Sequence, residues 1–242
     1  MRKLYEKNEQ NFSYLWIAIY VIAVSVAENL SAGLGTAKIV TAPVCVAMAA
    51  FLLVWIKRNG LTEKYGLGKA SFDGKQYLYF LPLILIASTN LWNGIQMRLS
   101  VTETVLHILS MICVGFLEEI IFRGFLFKAL CRDNLKQAVV ISSVTFGFGH
   151  IVNLLNGAEL LPTLLQICYA AAIGFLFTVI FLKSGNLIPC IITHSVVNSL
   201  SAFAVEGSEM LDILTAIVLI VVSAAYAVWI LKHMKKEEQA QL

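Results

Sequence analysis

The sequence predicts an all-α, polytopic membrane bundle of about eight transmembrane helices. Two measures of composition and one of pattern carry that prediction. Of 242 residues, 59% are hydrophobic and 14% charged, where a soluble domain carries about 45–50% and about 25%. The mean hydropathy is +0.79. The apolar residues also gather in runs long enough to cross a bilayer, which takes about 20 helical residues. A soluble globular domain, a disordered chain, a collagen and a coiled coil are excluded. The net charge of +3 is too small to imply a nucleic-acid partner, so the partner implied is the lipid bilayer. The five cysteines form no CxxC pair and read as packing residues.

The first span is read over Phe12–Ala32, as a retained span rather than a signal peptide because no small-residue cleavage site follows it. The second covers Ile39–Ile56 and stops at Lys57 and Arg58. The third covers Tyr77–Trp92, the fourth Val105–Leu130, and the fifth Ala138–Leu155, with Asn156-Gly157 as its stop. The sixth covers Leu160–Leu182. Gly185-Asn186 breaks the chain before the seventh, Leu187–Val205, and the eighth covers Leu211–Leu231. Trp16, Trp55, Trp92 and Trp229 fall near span ends and read as interfacial belt residues. With both termini in the cytoplasm of a cell-membrane protein, only Lys38 and Arg98 lie outside, and Arg123 lies within a span. Every other Lys and Arg falls inside, including Lys64, Lys69, Lys75, Lys235 and Lys236. This asymmetry requires an even number of spans.

Charged side chains near the bilayer centre cost about 2.5–3.5 kcal/mol each on insertion scales, and those that persist usually mark function. The fourth span holds Glu118, Glu119 and Arg123 in CVGFLEEIIFRGFLF. Glu119 and Arg123 are four apart and share a helix face, so they pair. Glu118 is turned about 100° away and is left for another partner. The fifth span carries His150, with Phe146 one turn before it and Gly147 as a small residue for close helix approach. The seventh carries His194 and Asn198, again four apart. At 1.5 Å per residue these groups lie about 13–21 Å from the basic end, so one layer can hold them all.

A carboxylate, two imidazoles and a carboxamide suit hydrolysis. A carboxyl group withdrawn from water can serve as general base and then general acid. Imidazole and carboxamide groups can donate to a developing oxyanion. The alternative is a metal: Glu118, His150 and His194 resemble a catalytic zinc ligand set, although the spacing is not HExxH. No GxSxG elbow is present.

These residues also resemble a known family pattern. EEIIFRG at Glu118–Gly124 is similar to the EExxxR motif of the CAAX prenyl protease and bacteriocin-processing (CPBP) family. FGFGH at Phe146–His150 resembles its FxxxH motif, and HSVVN at His194–Asn198 its HxxxN motif. SGNLIP at Ser184–Pro189 resembles the lead-in to the third. The resemblance covers the fourth to seventh spans. It divides the chain into N-terminal spans (1–104), a protease-like core (105–205) and a last span with a tail (206–242).

The resemblance implies an intramembrane endopeptidase acting on a membrane-associated protein or peptide. It implies Glu118 as the residue that activates water, assisted by His150, with His194 and Asn198 stabilising the oxyanion. Glu119, Arg123 and Phe146 would be supporting residues. Such proteins are described both as glutamate-dependent and as metal-dependent, so Zn2+ stays the alternative cofactor. Members remove the last three residues of prenylated CAAX proteins, or serve bacteriocin maturation or self-immunity. The compact chain looks more like a prokaryotic member. Substrate entry is expected from the cytoplasmic side or laterally.

Two other classes compete: a non-catalytic immunity or scaffold protein on the same fold, and a proton-coupled transporter. Against the transporter, the sequence shows no repeat and no pair of broken helices. His107 reads as an interface histidine, and Asn153 as helix-end packing, with the lining of the site mouth as its alternative.

Overall fold

The computed structural model describes residues 1–68 and 80–233. The beginning of the third expected span and the basic positions Lys69, Lys75, Lys235 and Lys236 lie outside the described residues. Among the described residues the protein is helical throughout, with one isolated bridge between Ile95 and Ala204 and no strand.

The helices are α1 (Arg2–Lys7), α2 (Glu9–Gly33), α3 (Thr41–Arg58), α4 (Leu81–Ser88) and α5 (Val101–Glu119). The chain then runs as a π-helix over Ile120–Phe127 into α6 (Lys128–Leu130). After these come α7 (Leu135–Gly149), α8 (Val152–Leu155), α9 (Leu160–Ser184), α10 (Ile188–Leu200) and α11 (Glu209–His233). The starts are encoded locally. Asn8 and Asn134 cap α2 and α7 by accepting from backbone N–H groups, and Ser100 with Glu103 forms a capping box on α5. Gly185 ends α9 at φ +65°, a conformation that favours glycine.

Six helical segments are long and apolar enough to cross a membrane: α2, α3, α5 to α6, α7 to α8, α9 and α11. The chain therefore forms a multi-pass membrane protein. Among the described residues, Leu81–Leu91 and Ile188–Phe203 are shorter apolar helices. At 1.5 Å per residue α10 is only about 20 Å long, against a hydrocarbon core of about 30 Å. Asn90 Nδ2 donates to Val197 O at 2.5 Å, and Gln96 N to Phe203 O at 2.9 Å, beside the Ile95–Ala204 bridge. The two short helices lie side by side, and groups of the α4 segment satisfy backbone carbonyls of the α10 segment.

Contacts between loops define the two ends of the bundle. At one end Glu9 meets Lys64 at 2.7 Å and Arg132 at 3.0 Å, and Leu187 N donates to Gly66 O. At the other, Lys38 pairs with Glu28 at 2.6 Å, Ala37 N donates to Glu103, and Arg98 pairs with Glu206. Most cations sit at the first end, which also holds the N-terminus.

Small residues set the helix spacing around the site. A Cβ on Gly115 of α5 would lie 2.4 Å from Ser195 Oγ of α10, and one on Gly147 of α7 would lie 2.6 Å from Ile167 O of α9. Trp16 and Trp55 do not form an interfacial belt. Both are buried in an aromatic cluster with Phe12 and Phe125, while Trp92 and Trp229 are exposed. Gly115→Val is expected to cost about 1–3 kcal/mol by overpacking the α5–α10 contact. Thermal unfolding in detergent would show it as a midpoint several degrees below wild type.

Candidate active site

The fourth span positions two carboxylates on different faces, and their surroundings differ sharply. Glu119 is fully buried. Its Oε1 accepts from Arg123 Nη1 at 2.9 Å and lies 2.8 Å from His194 Nδ1. Glu118 keeps 12% of its side-chain surface exposed. Its Oε1 accepts from the Tyr20 hydroxyl at 2.5 Å, and its Oε2 lies 3.5 Å from His194 Nε2. His194 therefore stands between the two carboxylates, one ring nitrogen towards each.

Arg123 lies inside the π-helix and is fully buried. Its guanidinium stacks over the Phe146 ring at 4.0 Å, a contact that is favourable away from water. Gly174 makes room for it: a Cβ there would lie 2.9 Å from Arg123 Nη2. The widened π-turns sit directly after the carboxylate pair, where such turns often occur at functional sites. Ser142 Oγ donates to Phe122 O at 3.0 Å, so α7 satisfies a carbonyl within them. The tighter rise of a π-helix also places Glu118 nearer the basic end than a regular α-helix would.

Phe146 is the hub of the site. Its ring contacts His150 at 5.6 Å, His194 at 5.7 Å and Phe122 at 5.4 Å, all edge-on. His150 does not lie within a continuous helix. It is the C-cap of α7, where the chain turns into α8.

Two cavities flank this cluster. The larger, about 510 Å³, is lined by Phe146, His150, His194, Asn198 and Phe177 among others, and its rim carries Arg98, Glu206 and Asp212. These last three residues place part of its lining at the end away from the N-terminus. The smaller, about 110 Å³, is lined by Tyr20, Glu118, Phe146 and His150, with Ser25 and Asn153 farther out. The structure thus gathers Glu118, Glu119, Arg123, Phe146 and His194 in direct contact, and brings His150 and Asn198 to the cavity walls beside them.

Among the described residues, no three His, Cys, Asp or Glu side chains form a group able to hold a metal ion. Glu118 Oε1 accepts from Tyr20 and His194 Nδ1 faces Glu119, which leaves Glu118 Oε2 and His194 Nε2 facing each other at 3.5 Å. As placed, Glu118, His150 and His194 do not converge as a ligand group.

Residues 100–200 match a family described as type II CAAX prenyl endopeptidase Rce1-like. Over these residues the chain is similar to that family. The matched segment runs from the cap of α5 to the end of α10 and holds every motif residue. No curated protein and no solved structure matches the chain.

Tyr20 lies outside the matched core, and the motif search passed over it. A signal was present: a tyrosine in the middle of an apolar run is out of place for a belt residue. Asn153 takes the second of its two expected roles: it lines the small cavity and donates to Gln166 Oε1 at 2.8 Å. His107 bonds Ser201 Oγ at 2.9 Å, holding α5 to the end of α10.

Removing Arg123 would leave Glu119 buried without its cation. Arg123→Met is expected to lower stability by about 3–5 kcal/mol. The double variant Arg123→Met/Glu119→Gln should recover part of that loss, as read by denaturant unfolding in detergent.

Proposed function

We propose that the protein is an intramembrane endopeptidase that hydrolyses a peptide bond of a membrane-associated protein or peptide, with Glu118 as general base. One observation carries the reading: of the two adjacent carboxylates, only Glu118 reaches a cavity, and its free edge points at His194.

In this reading a water held near Glu118 Oε2 and His150 attacks a carbonyl carbon lying in the large cavity. Glu118 takes the water proton as the new C–O bond forms. The carbonyl oxygen becomes an oxyanion, for which the Asn198 carboxamide and His194 are the available partners. The intermediate collapses, the C–N bond breaks, and Glu118 returns the proton to the leaving amine. Water is consumed and one carboxyl and one amine terminus appear, so the step balances.

With His194 Nδ1 directed to Glu119, its Nε2 donates to the oxyanion only when both ring nitrogens carry a proton, so the Asn198 carboxamide is the donor that this reading always supplies. Tyr20 and Glu119 act as positioning residues that fix Glu118 and His194 respectively.

The matched family is described as a CAAX prenyl endopeptidase. The chemistry proposed here needs only a peptide bond presented to the large cavity. Purified protein is expected to cleave members of a panel of prenylated and unprenylated peptides. Glu118→Gln should lower kcat by about 10²–10⁴-fold with the fold intact by size exclusion and melting. Tyr20→Phe should lower kcat by roughly tenfold, since it removes a hydrogen bond to a charged group. Equal cleavage by wild type and Glu118→Gln would overturn the assignment. Dialysis against a chelator should leave cleavage unchanged, and restoration by added Zn2+ would revive the metal alternative.

A further inference from the structure

We propose that the small cavity beside Glu118 is a water inlet, separate from the cavity that takes the substrate. Its purpose rests on the proteolytic reading above, whereas its geometry does not.

Glu118 lines the small cavity and not the large one, while His194 and Asn198 line the large one and not the small one. Phe146 and His150 belong to both and form the wall between them. Farther out, the Asn153–Gln166 hydrogen bond continues that wall, since Asn153 faces the small cavity and Gln166 the large. The partition thus runs from Phe146 past His150 to the end of α8. At its inner end Glu118 Oε2 and His194 Nε2 are 3.5 Å apart. There a water bound on one side can reach a group bound on the other.

The dimensions suit this division. A cavity of about 110 Å³ accommodates a few waters, each with a share of about 30 Å³ in the liquid. It is too narrow for a peptide. Water in such a space needs two to four polar partners, and Tyr20, Ser25, Glu118, Asn153 and Asn156 are available along the walls. Its mouth lies at Asn156, which is exposed and hydrogen-bonded to Asn29. The large cavity has apolar inner walls at Ile173, Phe177 and Leu219. A substrate seated there would close that route to water. A base that spends one water per turnover then needs a second path, and the small cavity leads to it.

The test uses cysteine scanning in a background freed of the five native cysteines, reconstituted in liposomes. Ser25→Cys lies in the small cavity. Val26→Cys, one residue on, is exposed on the outer face of α2. A charged, water-soluble methanethiosulfonate is expected to modify Ser25→Cys at least about tenfold faster than Val26→Cys, since thiol reactivity follows access to water. The rate should persist when Thr215→Phe, or Thr215→Leu if the first does not fold, fills the large cavity. Equal slow modification at both positions, or loss of the Ser25→Cys reaction on filling the large cavity, would overturn the inlet. These outcomes decide the point even for a protein that cleaves nothing, a failure that would appear separately as inactive wild type. In a cleaving protein, Val24→Phe narrows the inlet and should lower kcat about tenfold at unchanged KM. A rise in KM at unchanged kcat would instead make the small cavity part of the substrate site.

Discussion

The site is organised around a fully buried ion pair. Taking Arg123 and Glu119 out of water costs several kcal/mol per ion after relaxation. Such a pair is tolerable only where each charge meets fixed partners. Glu119 Oε1 serves both Arg123 and His194, and the guanidinium lies flat on Phe146. Three helices are thereby held in one relation: the fourth span through Glu119 and Arg123, α7 through Phe146, and α10 through His194. Gly174 brings in α9, because only a residue without a side chain leaves space for the guanidinium. The three short motifs are one electrostatic and packing unit. Each of them contributes at least one contact to the buried pair or to the ring packed on it.

That unit explains why regular helix is abandoned nearby. The π-turns over Ile120–Phe127 begin immediately after Glu119, and α7 stops at His150. Among the described residues, α4 and α10 are shorter than a full bilayer span. Each departure frees backbone groups, and each finds a local partner: Ser142 for Phe122 O, Asn90 for Val197 O, Gln96 for Phe203 O. Irregular backbone at membrane depth is sustained where it lines a cavity or lies within protein. Here it does both. The half-helices leave the space that becomes the large cavity, and the break at His150 turns an imidazole towards both chambers.

Much of this was legible in the residues. The all-helical class follows from composition, and the Glu119–Arg123 pair follows from a spacing of four, which survives the π-turns at 2.9 Å. Gly147 announced a close helix contact and makes one with α9. What escaped was whatever depends on tertiary completion. An apolar run does not reveal whether it is one long helix or a short helix with extended chain, because both are equally hydrophobic. That is why the seventh span was read as full length. Tyr20 was missed because its partner is ninety-eight residues away and no local motif announces it. The burial of Trp16 and Trp55 was missed because a tryptophan near a span end has the same local sequence in a belt or in a core.

The fates of two neighbouring carboxylates show how the fold divides labour that the sequence leaves equivalent. Glu118 and Glu119 have the same chemistry and adjacent positions, and a turn of about 100° separates them. Glu119 points into the bundle, has no exposed surface and holds a cation and an imidazole. A group so buried can fix others but is closed to a reactant arriving from either cavity. Glu118 points towards α2, where the Tyr20 hydroxyl holds one oxygen and leaves the other facing His194 across 3.5 Å. That distance is too long for a good direct hydrogen bond. It leaves the second oxygen of Glu118 available to a water approaching from the small cavity. The buried carboxylate keeps His194 oriented and the exposed one meets water, so a single helical turn supplies both the rigid frame and the reactive edge that the proposed hydrolysis requires.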